Sequence, residues 1–583
     1  MFQLKLIREF LIKGLLKTKL YSIIKLKAFI YERFLYFYNY KITTMKKLVS
    51  IFFLIFCFSC SDDKLSVDSI IINANIYTVN NEFSKAEAFA VKDGKFLDIG
   101  TSSDIQSKYA SEDVVDAQGK TIVPGFIDAH CHFLGLGLDQ LDVDLVGTKS
   151  FEDVMKRVLD FQNEKQQDYI VGRGWDQNDW EDKTFPDKKL LDKLFPKTPI
   201  ALTRIDGHAT LCNQAALDLG AITINTKVDG GEVVIENGEL TGVLVDNAVD
   251  LVWKHWPAGY TREDIVEALL VAQDLCFDLG LTTVDDAGLD QYAIEIIDSL
   301  QNTGDLKMRV YAMASGTEEN VDYYLNKGIV KTDRLNVRSF KFYADGALGS
   351  RGAMLRKPYS DKPNHFGLLV TDLETFNKNA ERIANSDYQM NTHAIGDSAN
   401  HAVLQIYNKV LAGKENRRWR VEHAQVVSQE DFDLYKNVMP SIQPTHATSD
   451  MYWAENRLGS ERVKGAYAYK QLLNAYGKVA LGTDFPVERV SPFLTFYASV
   501  ARQDLEQFPE GGFQKENGLT REETLKGMTI WAAYSNFEED EKGSIEAGKF
   551  ADFIILDKDI MTVNQNEIPN IKVEQTFVGG EKQ

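Results

Sequence analysis

Two periodicities divide this chain. From Asp68 to about Pro124, short apolar runs are broken by turn residues. The runs are Ile70–Val79, Ala88–Val91, Lys95–Gly100 and Lys120–Val123, separated by Asn80-Asn81, Asp93-Gly94 and Gln118-Gly119. Runs of this length bounded by Asn, Asp and Gly predict strands, and Asp93-Gly94 between two of them predicts a tight hairpin. The same texture returns at Gly543–Asp557 and Val573–Gly580. A small β-domain built from both ends of the chain is therefore expected around a larger insert.

In the middle the pattern changes. Strand-like runs at 282–288, 308–313, 337–343, 389–394, 418–424, 441–446 and 479–484 alternate with amphipathic windows such as Arg262–Gly280, Asp372–Ser386 and His401–Leu411. Strand, helix, strand at this spacing predicts a parallel sheet with crossover helices, and eight such units close as a barrel. The expected fold class is α/β: a (β/α)₈ TIM-like barrel over residues 124–535, with a small β-sandwich from 61–123 and 536–583. An insert at about 134–275, with its own β-like run Gly231–Val245, is expected to cap the barrel mouth.

The polar residues at the ends of these runs carry the chemistry. His130 and His132 close Thr121–His132; residues two apart on a strand face the same way, so two imidazoles meet at one point. Imidazole is the commonest metal ligand among side chains. His393, His423 and Asp484 each end a later run, and Lys341 lies in Ser339–Gly346 between two aromatics. One strand-end histidine means little. Four of the nine histidines and an aspartate at the same end of successive strands converge if the strands form a barrel. Nitrogen and carboxylate donors suit Zn²⁺, as one or two ions, with iron, manganese or nickel as alternatives. Asp484 is placed to accept a proton from an attacking water and pass it to a leaving nitrogen. His446, closing Gln443–His446, is a candidate to orient a carbonyl or steady an oxyanion. His208 in the insert is a candidate to reach the mouth from above, and Arg351 to pair with a substrate carboxylate or with Asp345.

Composition narrows the partners. A net charge of -20 argues against nucleic acid or an anionic membrane face for the folded body, leaving a small-molecule substrate. Five scattered cysteines are no disulfide framework; Cys131, Cys212 and Cys276 read as small buried hydrophobes. Met45–Cys60 has a basic start, a short apolar stretch and Ser59 before Cys60. The apolar stretch falls short of the roughly 20 residues that span a bilayer and suits a secretory signal. Its end resembles a bacterial lipobox, which makes Cys60 the candidate lipidation site and the cell envelope, facing periplasm or exterior, the expected location. A lipid anchor is then the only membrane contact expected. Residues 1–44 precede this complete signal and read as a mis-assigned extension, with a basic amphipathic segment lying on a membrane as the alternative.

Pro124–His132, Lys341 with Asp345–Arg351, Thr392–Asp397, Val421–Ala424 and Gly482–Val487, in this order, resemble the amidohydrolase superfamily. The match is closest to amidohydrolase family 3, which includes N-substituted formamide deformylase-like proteins, and covers roughly residues 68–580. The resemblance implies a metal-dependent hydrolase of non-peptide C–N bonds: an N-acyl or N-formyl amine, or a cyclic amide. It implies that His130, His132 and Asp484 bind one metal, that His393 and His423 bind a second, and that Lys341 bridges them as a carbamate. The residues alone leave open an ordinary Lys341 paired with Asp345 beside a single metal. An esterase or lactonase on the same site is the alternative activity, and a lipid-anchored binding protein the alternative class. The aromatic run Met451–Trp453, with Trp175 and Trp180, suggests apolar pocket walls, with packing inside the lid as the alternative.

Overall fold

The computed structural model describes residues 64–257 and 259–583, together with residues 25–27. The rest of the 1–44 extension, the signal at 45–60 and Cys60 lie outside the described residues. The body runs from Ser66 to Gln583.

Its centre is a barrel of eight parallel strands: β1 (Phe126–Cys131), β2 (Leu281–Leu289), β3 (Arg309–Ser315), β4 (Leu335–Tyr343), β5 (Gln389–Ala394), β6 (Arg420–His423), β7 (Met439–Ile442) and β8 (Ala480–Leu481). They are hydrogen-bonded in chain order. Helices including Arg262–Asp278, Gln291–Thr303, Glu318–Lys327, Leu373–Ala384 and Asp397–Val410 connect them. Strand alternation sets what faces in. On β4, Phe340 packs its ring 4.9 Å from Tyr388, and Phe342 lies 6.2 Å from Phe376. These outward aromatics leave Ser339, Lys341 and Tyr343 for the interior.

β8 is two residues long, and side chains and backbone beyond it complete the ring against β1. Asp484 N–H donates to His130 O at 2.8 Å, and His132 N–H to Phe485 O at 2.8 Å. Asp128 accepts from Thr483 N–H at 3.0 Å and from Thr483 Oγ1–H at 2.7 Å. Gly482 makes this approach possible: a Cβ there would lie 2.5 Å from His130 N. The seam thus joins the two segments that carry His130, His132 and Asp484.

Both chain ends build the β-sandwich. Its four-stranded sheet comes from 69–72, 88–92, 95–100 and 113–116, and its six-stranded sheet takes in Asn75–Tyr77, Thr121–Pro124, Phe553–Leu556 and Val573–Val578. Phe89 bridges them, with ring centroids 5.0 Å from Phe96 and 4.9 Å from Phe553, which stacks on Phe577 at 4.3 Å. Between β1 and β2 a further six-stranded mixed sheet spans residues 143–246. Trp175, Trp180, Leu202 and Val243 fill its own core. Among the described residues no helix is long and apolar enough to cross a membrane.

Candidate metal centre

A cavity of about 580 Å³ opens at the C-terminal ends of the barrel strands, roofed by the inserted sheet. His132, His208, Lys341, His393, His423, His446 and Asp484 line it, so most of the sequence candidates converge there. Asp484 is the hub. Its Oδ1 lies 3.3 Å from His132 Nε2 and 3.5 Å from His130 Nε2, and its Oδ2 lies 3.1 Å from His446 Nε2 and 3.9 Å from His423 Nδ1. Two groups have ligand atoms within 4.8 Å of one another: His130, His132 and Asp484, and His423, His446 and Asp484. His393 stands beside the second, its ring 4.5 Å from that of His423.

These residues fit a divalent cation. His423 Nδ1 and Asp484 Oδ1 are buried and have no hydrogen-bond partner, an arrangement that costs about 1–3 kcal/mol per group unless something else occupies the lone pair. Burial, with the Lys341 charge adding to it, holds His130 down to about 4. Burial also holds His393 and His423 well below the ordinary histidine value. The three rings are neutral, the state that offers a lone pair to a metal. Burial opposes ionisation of Asp484, but the neighbouring His132 and the hydrogen bond with His446 overcome it and hold the carboxylate well below its usual range.

Lys341 is 1% exposed. Its Nζ lies 3.4 Å from His130 Nε2 and 4.6 Å from the Tyr343 ring centroid. Asp345 does not pair with it: that carboxylate accepts backbone N–H bonds from Met354, Ile395 and Gly396 at 2.7, 3.0 and 2.8 Å. Nor does Asp345 pair with Arg351, which holds Asp361 at 2.9 and 3.2 Å and is absent from the cavity wall. Arg204, from the insert, takes a place in that wall with Asp206 bound at 2.6 Å.

Two expectations need correction. The run ending at His446 is not all strand: β7 stops at Ile442, and Pro444 opens a helix through Asp450. Proline fits a first helical turn, where its missing N–H costs nothing. His446 therefore enters from a helix start, between carboxylates on both ring nitrogens, Asp484 at 3.1 Å and Glu488 at 3.2 Å. Burial would lower its pKa, and these two carboxylates raise it well above the ordinary value. Trp175 and Trp180 do not wall the cavity. Their indole N–H groups donate to Leu202 O and Thr148 O inside the inserted sheet, while Trp453 does line the site.

His208 reaches the mouth from the turn joining strands Ile200–Arg204 and Ala209–Cys212, its ring 4.9 Å from His393. Its Nδ1–H donates to Asp246 Oδ1 at 2.6 Å. Behind β1 lies a group that no spacing rule pointed to. The Nδ1–H of His130 donates to Glu422 Oε2 at 2.6 Å, and Arg420 Nε–H donates to Glu422 Oε1 at 2.6 Å. Burial would raise Glu422, but the Arg420 charge and the hydrogen bond from His130 override it and the carboxyl sits at about 2.

Comparison with known proteins gives the same direction. The sequence profile of the amidohydrolase family matches residues 113–582. Putative amidohydrolase YtcJ of Bacillus subtilis is 31% identical over 519 residues, 87% of this chain and 97% of that protein. N-substituted formamide deformylase of Arthrobacter pascens is 25% identical over 538 residues, 88% and 97% of the two chains. The crystal structure of an uncharacterized metal-dependent hydrolase from Pyrococcus horikoshii superposes with a TM-score of 0.69 at 29% identity, covering 85% of this chain and 99% of that one.

Proposed function

This chain belongs to the amidohydrolase family and is a metal-dependent hydrolase, and from that premise we propose that it cleaves a C–N bond outside the peptide main chain, in an N-acyl or N-formyl amine or a cyclic amide. The observation that carries this is the meeting of four histidines on Asp484, with buried lone pairs on His423 and Asp484 left open. His130, His132 and Asp484 are the proposed ligands of one ion, and His423 with His393 those of a second.

A Zn²⁺ ion bound there would lower the pKa of a coordinated water from 15.7 toward about 7 and polarise the scissile carbonyl. Asp484 is the proposed base, then acid: it accepts a proton from the attacking water and delivers it to the departing nitrogen. His446, with both ring nitrogens against carboxylates, has no lone pair to give a metal. The role proposed for it here is to donate its Nε2–H toward the substrate oxygen once Asp484 is engaged by the metal, with Glu488 keeping Nδ1. His208, turned by Asp246, is proposed to contact the substrate from the roof. Lys341 is buried without a carboxylate partner among the described side chains, a costly state for an ammonium. Addition of its neutral amine to CO₂, with loss of a proton, would convert it to an anionic oxygen donor. Leu136, Val143, Val146 and Trp453 in the wall favour an apolar substituent on the substrate.

The test is zinc content of the purified protein together with turnover of N-formyl and N-acyl amines, for wild type and Asp484→Asn. Bound zinc with turnover lost at least 10²-fold in the variant is the expected result. Metal-free protein that stays inert with added zinc and bicarbonate would refute the assignment.

A further inference from the structure

Resting on the metal-hydrolase reading above, we propose that Arg420 and Glu422 are positioning residues, which lock the His130 ring so that its Nε2 lone pair faces the cavity. Both side chains are completely buried inside the barrel, where bulky branched hydrophobes are the usual filling. Stability does not account for them. Desolvating two ions costs several kcal/mol each, and apolar replacements of such pairs are often neutral or stabilising by about 1–4 kcal/mol.

The hydrogen bonds show where the pair leads. Glu422 divides its oxygens, Oε1 to Arg420 and Oε2 to His130 Nδ1–H, each at 2.6 Å. Arg420 also grips the backbone next to the ligand: its Nη2–H donates to Ala129 O at 2.7 Å. Its Nη1–H donates to Asp285 Oδ2 on β2 at 3.0 Å, and Asp285 Oδ1 accepts from Asn536 Nδ2–H at 2.7 Å. One guanidinium therefore fixes both the peptide that carries His130 and the carboxylate that orients its ring. With the Nδ1 hydrogen committed, the remaining lone pair lies on Nε2, which faces Lys341 Nζ at 3.4 Å and Asp484 Oδ1 at 3.5 Å. A carboxylate behind a ligating imidazole sets its tautomer and basicity, and losing such a partner costs about 10–100-fold in metal affinity.

The experiment measures affinity for zinc alone, by chelator competition, and the thermal midpoint of the metal-free protein. The proteins are wild type, Glu422→Gln and the triple variant Asp285→Asn/Arg420→Met/Glu422→Leu, since Arg420 also pairs with the buried Asp285. Glu422→Gln leaves the buried guanidinium short of a carboxylate and will lose stability; the triple variant removes the whole buried charge cluster and decides the question. A 10–100-fold weaker zinc affinity in the triple variant, with its metal-free midpoint at or above that of wild type, is expected. Wild-type zinc affinity in that variant overturns the proposal, as does a midpoint that falls as far as in Glu422→Gln, which would make the pair a barrel brace. Wild-type protein that binds no zinc overturns the metal centre itself, and this assignment with it.

Discussion

His423 and Asp484 hold φ values of 72° and 65°, a left-handed conformation that side chains other than glycine, Asn and Asp rarely adopt. For His423 this costs on the order of 1–2 kcal/mol, and such outliers gather where function demands them. On β6 the effect is visible: Glu422 is buried against His130, and the reversal at His423 lets the next side chain also turn into the barrel. Replacing His423 with Asn, which tolerates this backbone, should keep or raise the metal-free melting temperature while weakening zinc binding; equal losses of both would contradict the strain argument. Gly482→Ala should lower the metal-free stability, since its Cβ would press 2.5 Å from His130 N. About 1–3 kcal/mol of lost stability is expected in denaturant unfolding. At this scale the strand-end residues were legible because alternation and barrel geometry bring them together. Glu422 was not, because adjacent residues on a regular strand point to opposite faces, and the local reversal at His423 leaves no trace in spacing.

The inserted sheet meets the barrel through a set of glycines after β4. A Cβ on Gly346 would fall 2.5 Å from Asp246 Oδ2, one on Gly352 2.6 Å from the same atom, and one on Gly349 3.2 Å from Arg204 Nη1. The loop is a socket for the turn that carries His208 and for the carboxylate that aims it. Gly346→Ala should therefore displace His208 and lower kcat/KM by about 10²-fold, the cost of an ångström-scale misplacement. Zinc content should stay at the wild-type level; a parallel loss of metal would mean that the socket supports the barrel instead. The run Gly231–Val245 announced strands in this region, through its apolar content and its Asn237-Gly238 turn. Which side of the sheet Trp175 and Trp180 face depends on neighbours far away in the chain, and local pattern carries no information on that. The run 441–446 reads as strand through His446 for a local reason: a proline after an apolar run stops a strand and starts a helix equally well.

Across the whole molecule, acidic residues outnumber basic ones by 85 to 65, and several carboxylates sit in the cavity wall. Burial pushes Asp142 up to about 6, against a hydrogen bond from Tyr260 that pulls the other way. A carboxyl raised in the folded state binds its proton more tightly there than in the unfolded chain. Its contribution is fully present below about pH 4 and is lost as pH climbs through about 6. Asp142→Asn keeps an acceptor for Tyr260 and removes that loss. The variant should match wild type near pH 4 and exceed it at pH 8 by on the order of 1–2 kcal/mol, allowing for partial exposure. A gain that is constant with pH would assign the effect to something other than titration.

The sandwich has a bearing on time as well as on shape. Thr121–Pro124 pairs with Phe553–Leu556, so a sheet opened near the start of the described chain is closed by residues more than four hundred positions later. Pairings of such separation form late, because the chain between must be ordered before they repay the entropy of closure. A ribosome making this protein therefore releases almost the whole barrel before Thr121–Pro124 can meet its partner, and until then that strand presents a bare edge. The strand Phe553–Leu556 is thus the clasp of the sheet, and it is the later of the two to leave the ribosome.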